Sequence, residues 1–95
     1  MPSFALICVD KPKSLELRLA NREAHLAYCA AAPAGFIKTA GPFLDEAGDM
    51  AGSLFLIEAA DIETVRAFTA ADPYALAGLF ERVEVRAWRQ TLPRP

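Results

Sequence analysis

Ninety-five residues, 54% of them hydrophobic, are enough for one core and too few for two, so a single domain over residues 1–95 is expected. The formal net charge of −2 is spread over interspersed acids and bases, which argues against a nucleic-acid footprint or a polybasic membrane patch. No apolar run approaches the ~18 residues of a membrane span, and Met1 to Val9 lacks the charged start of a signal peptide, so a cytoplasmic protein is expected. Phe4 to Val9 is a continuous apolar run ending at Asp10-Lys11-Pro12-Lys13, a buried strand followed by a loop. Ser14 is a good N-cap, Glu16 sits in the first turn where the helix dipole favours an anion, and the helix stops near Ala32 at Pro33-Ala34-Gly35.

Phe36 to Leu44 reads as a second strand interrupted by Gly41-Pro42. Proline cannot donate to a sheet ladder, which puts this strand on an edge. Asp45 to Asp49 is a turn, and Ser53 to Glu58 is a third strand, apolar on both faces at Leu54-Phe55-Leu56-Ile57. Asp61 caps a second helix lasting to Ala71, with Ile62, Val65, Phe68 and Thr69 on its buried side. A short turn with helical character follows Asp72-Pro73-Tyr74, and Phe80 to Arg89 is the last strand. There Val83, Val85 and Ala87 point one way and Arg82, Glu84, Arg86 and Trp88 the other.

The order β-α-β-β-α-β is the ferredoxin-like, split βαβ pattern of α+β proteins. Right-handed crossovers give a four-stranded antiparallel sheet in the order 4-1-3-2. Strands one and three are then central, where the two-sided apolar runs lie. Two helices cover one sheet face, so a second copy of the chain, sheet against sheet, is expected to cover the other. Trp88 belongs to that covered face.

His25 is the only histidine, and the only side chain with an ordinary pKa suited to moving protons near neutrality. On a wheel of about 100° per residue, Leu15, Leu19, Leu26 and Ala30 form the stripe expected on the sheet, and Arg18, Arg22, His25 and Cys29 the sector beside it. Asp72, at the end of the second helix, points toward the same side. A carboxylate holding one imidazole nitrogen leaves the other free to take or give a proton, and the arginines attract an anionic ligand. The same residues also fit a buried polar pair tying two helices together, and spacing leaves both readings open. One histidine and scattered carboxylates make no metal site and no glycine-rich phosphate loop occurs, so neither metal nor cofactor is expected. Cys8 and Cys29, without CxxC spacing, read as reduced buried thiols.

Four short stretches in register carry a family resemblance: Asp10-Lys11-Pro12-x-Ser14-Leu15-x-x-Arg18, Arg22-x-x-His25-Leu26, Thr39-Ala40-Gly41-Pro42 and Ala71-Asp72-Pro73-Tyr74-x-x-Ala77-Gly78-Leu79. From Phe4 to Trp88 the chain resembles the YciI-like (YCII-related) family of the dimeric α/β-barrel group. The resemblance implies a ferredoxin-like homodimer, a His-Asp dyad at His25 and Asp72, and a pocket for a small-molecule ligand including Arg18, Arg22, Gly41, Pro42 and Tyr74. A lone proton shuttle at that dyad suits an enzyme of lyase, dehalogenase or isomerase type acting on a small cyclic or aromatic anion. A non-catalytic binding or dimerisation module is the alternative. The hairpin between Leu44 and Gly52 is short, a departure at the pocket rim that leaves the substrate open.

Overall fold

In the computed structural model, which describes residues 1–95, β1 (Ser3–Asp10) alternates strictly: Phe4, Leu6, Cys8 and Asp10 are buried and their neighbours half-buried. That alternation follows from the two-residue period of a strand with helices on one side only. After β1 come α1 (Leu15–Ala30), β2 (Ile37–Leu44), β3 (Met50–Glu58), α2 (Ile62–Ala70), α3 (Pro73–Leu76) and β4 (Phe80–Trp88). The sheet order is β2-β3-β1-β4 with all pairings antiparallel, which is the expected 4-1-3-2 order. The fold is ferredoxin-like α+β, and the proline-bearing strand lies at an edge as its missing N–H requires.

Phe4, Leu6 and Cys8 of β1, Phe55 and Ile57 of β3 and Val65 of α2 form the core beneath the helices. On the opposite face Ala5, Ile7, Leu54 and Leu56 are half-buried and Trp88 remains 37% exposed. Gly52 is required where the two inner strands meet, because a Cβ there would lie 2.5 Å from the Cys8 carbonyl oxygen.

The helix ends show where local signals held. Asp61 accepts from both the N–H and the hydroxyl of Thr64, at 2.9 and 2.8 Å, which also holds its carboxyl below the usual range. Ser14 occupies the N-cap position of α1 without capping it. Its hydroxyl donates instead to the Pro12 carbonyl at 3.2 Å. Asp72 does not end α2; it starts the separate helix α3, with Pro73 in the first turn and the Asp72 carboxylate accepting from the Tyr74 N–H at 2.9 Å.

The buried face of α1 differs from the expectation. Leu19 and Leu26 are 53% and 47% exposed, Ala30 is exposed, and the buried residues of the helix are Arg18 and His25. The polar sector faces the sheet and the leucine stripe faces away from it. The physical reason is that each buried polar group meets a dedicated partner from another element, which removes the usual penalty for desolvating it.

Candidate active site

Asp10, at the end of β1, accepts from Arg18 of α1 through both carboxylate oxygens, from Nε at 2.7 Å and Nη2 at 3.1 Å. The same Nη2 donates to the Ser53 hydroxyl of β3 at 2.8 Å. This fork geometry ties three elements together at one corner of the sheet. Burial alone would lower the Arg18 pKa, but the hydrogen bond and charge of Asp10 outweigh it and hold the guanidinium above its usual value. Arg18 also stacks on Tyr74, with its guanidinium carbon 4.5 Å from the ring centroid.

Seven residues toward the C-terminus of α1, His25 turns inward from the same face. Its Nδ1 lies 2.9 and 3.0 Å from the two oxygens of Asp72, which is 1% exposed. A carboxylate there accepts the Nδ1 proton, which fixes the tautomer and leaves the Nε2 lone pair unused. The imidazole stacks on Tyr74 at 4.0 Å between centroids and 15° between planes, and meets the edge or face of Phe55 at 5.9 Å. Tyr74 is thus sandwiched between a cation and the imidazole. Burial pushes its phenol up, against the opposing charges of Arg18 and Arg22, so it is neutral at physiological pH.

A cavity of about 260 Å³ opens over this arrangement. Arg18, Arg22, His25, Gly41, Pro42 and Tyr74 all line it, so every pocket candidate from the sequence lies at one place. Asp72 is behind His25 and does not line the cavity. Arg22 is exposed and has no carboxylate within ion-pair distance, unlike Arg18. Pro42 stands opposite Ser53 in the β2–β3 register, so the edge strand forms the wall across from α1.

Sequence reading missed three contributors. Asp10 ends β1 where the sequence suggests a loop, and its partnership with Arg18 eight residues later is a contact across a strand-to-helix turn. Ser53 and Phe55 carried no signal beyond strand alternation. Cys29 shares a face with His25 as expected, and its sulfur lies 3.7 Å from Nε2 and 3.9 Å from Nδ1. Both cysteines are free, and burial pushes their thiols up, Cys8 to about 12 and Cys29 to about 11. Neither is therefore a thiolate nucleophile near neutrality. Spacing also suggested no metal cluster, yet the fold gathers His25, Cys29 and Asp72 so that one donor atom from each lies within 4.8 Å of the others.

Fold and pocket together define a ferredoxin-like α+β protein with a buried histidine–carboxylate pair at the wall of a small cavity. The chain belongs to the YCII-related domain family, whose model matches residues 3–89. It is 35% identical over 94 residues to Protein YciI of Escherichia coli O6:H1 strain CFT073, covering 92% of this chain and 96% of that protein. Protein YciI of Shigella flexneri matches to the same extent. Among solved structures it is similar to 5-chloro-2-hydroxyhydroquinone dehydrochlorinase (TftG) from Burkholderia phenoliruptrix AC1100, in complex with 2,5-dihydroxybenzoquinone. That match has a TM-score of 0.83 and 36% identity, and covers 92% of this chain and 93% of the other. An antibiotic biosynthesis monooxygenase, at 14% identity and a TM-score of 0.57, shares the fold over 95% of this chain and 98% of its own. No helix is long and apolar enough to cross a membrane.

Proposed function

We propose that the protein is a small cofactor-independent enzyme in which His25 and Asp72 act as an acid/base dyad on a monocyclic, anionic substrate. The observation that carries this reading is the Nδ1–Asp72 bond at 2.9 Å on an imidazole that lines the cavity. Asp72 stabilises the imidazolium that forms when Nε2 takes a proton, and the same nitrogen returns it. Proton removal beside a leaving group is elimination; return of the proton at another carbon is isomerisation. Arg22, the free cation of the cavity, takes the anionic oxygen as charge develops, whereas Arg18, neutralised by Asp10, holds Tyr74 and the wall in place. The cavity falls at or below the small end of ligand pockets, ~300–1,000 Å³, which fits one ring and excludes a dinucleotide. The likeness to a dehydrochlorinase of a hydroxylated aromatic ring supports the same substrate class.

The test is turnover and binding of hydroxylated benzoquinones and chlorinated hydroquinones by wild type and His25→Gln. We expect His25→Gln to bind within a few-fold of wild type while turnover falls by ~10²–10⁴. Equal turnover in the two proteins would sink the dyad, and binding without turnover in wild type would favour a ligand-binding module.

The open sheet face supports a homodimer. Ala5, Ile7, Leu54, Leu56 and Trp88 leave an apolar surface on strands that have no helix above them, and a second copy supplies an identical, self-complementary cover. Sedimentation is expected to give twice the 10.3 kDa mass of one chain. A single-chain mass at micromolar concentration would overturn the pairing.

A further inference from the structure

The geometry points to a second use of the same wall: His25 Nε2 and Cys29 Sγ, with Asp72 behind them, form a site for a thiophilic divalent cation of the Zn²⁺ type. It stands whether or not the dyad turns over a substrate, because it uses only the donor atoms.

His25 and Cys29 are one turn apart on α1, neighbours on one helix face, and both line the cavity, so a cation reaches them from solvent. Asp72 holds Nδ1 and thereby directs the lone pair of the imidazole to Nε2. A carboxylate on the far nitrogen of a ligating histidine is the usual outer partner of a zinc-bound imidazole. Cys29 Sγ lies 3.7 Å from Nε2, close enough for both atoms to face one ion once the thiol is turned toward it. The sulfur is nearly equidistant from the two ring nitrogens, so it is off the Nε2 lone-pair axis. Ligation therefore requires the Cys29 side chain to move toward the cavity that it lines.

Charge also balances. The cation displaces the thiol proton, and a thiolate plus Asp72 together offset its two positive charges. Asp10 already neutralises Arg18, which leaves exposed, solvent-screened Arg22 as the one opposing charge lining the cavity. Water or an oxygen of a pocket ligand completes the coordination. A bound ion occupies Nε2, so metal binding and proton transfer at that atom exclude each other.

Co²⁺, a spectroscopic substitute for zinc, tests this on the intact wild-type protein through the thiolate-to-cobalt charge-transfer band. The band is expected in wild type and Cys8→Ser and absent from Cys29→Ser, and Asp72→Asn is expected to bind ~10–100-fold more weakly. No band at excess Co²⁺, the same band in Cys29→Ser, or unchanged affinity in Asp72→Asn would overturn the site. Should Cys29→Ser fail to fold by circular dichroism, wild type gives the answer through peptide mapping of maleimide labelling. Zn²⁺ must then protect Cys29, and labelling of Cys29 at an undiminished rate overturns the proposal.

Discussion

Asp10→Ala is expected to lower the unfolding free energy by about 3–5 kcal/mol, the scale for removing one partner of a buried ion pair. Both oxygens of Asp10 are engaged by Arg18, and Arg18 is itself only 2% exposed. Without the carboxylate the guanidinium keeps one neutral hydroxyl, Ser53, and the face of Tyr74, which do not offset a desolvated charge. Small domains are stable by only ~5–15 kcal/mol, so the variant should lose a large fraction of its stability. The companion result separates burial from charge. Asp10→Leu combined with Arg18→Met should recover most of the loss, since well-packed apolar side chains replace a buried pair at little or no cost. Urea unfolding with unchanged slope reads both effects. If Asp10→Ala stays within about 0.5 kcal/mol of wild type, on the scale of an ordinary surface change, then Arg18 finds water and the corner is not dry.

Two substitutions of Asp72 are expected to separate its structural part from its chemical one. Asp72→Ala removes the acceptor for the Tyr74 N–H that opens α3 and the partner of His25 Nδ1 at once. A lost cap of about 1 kcal/mol and a lost charge-assisted bond of about 1.5–3 kcal/mol should sum to roughly 3 kcal/mol. Asp72→Asn keeps an oxygen where Oδ1 now accepts from both Nδ1 and the Tyr74 N–H, each at 2.9 Å. Its stability loss should be under about 1 kcal/mol, as for one neutral hydrogen bond. Under the proposed function, turnover should nonetheless fall by ~10²–10⁴, because the amide does not stabilise an imidazolium. Denaturation and steady-state kinetics on the two variants give the pattern. An Asp72→Asn protein with full turnover would show that the carboxylate charge takes no part in the chemistry.

Both effects depend on residues that differ in how visible they were. His25 and Asp72, 47 positions apart, are both legible, because a lone histidine and an Asp-Pro at a helix boundary each carry a local signal. Tyr74 and Pro42 were reached through the family stretches, and they line the same cavity. Asp10 read as a turn residue, because nothing local distinguishes a carboxylate that ends a strand in solvent from one that meets a buried arginine. Cys29 was placed beside His25 by helical spacing, but that Asp72 closes the group to three donors depends on α3, which begins where the second helix was expected to end.

Local sequence was enough for the element order, the edge position of the Gly41-Pro42 strand, the apolar runs of the central strands β1 and β3, and the Asp61 cap. Those are consequences of periodicity, proline's missing donor and side-chain-to-backbone hydrogen bonds, all acting within a few residues. Which face of α1 turns inward depends on contacts with other elements. A helical wheel states which residues share a side, and by apolarity it favoured Leu19 and Leu26, which are exposed. Arg18 and His25 are buried instead because Asp10, Ser53 and Asp72 are brought to them from other elements. Long-range partners, absent from any local window, reverse the sign of the burial free energy of a charged or polar side chain.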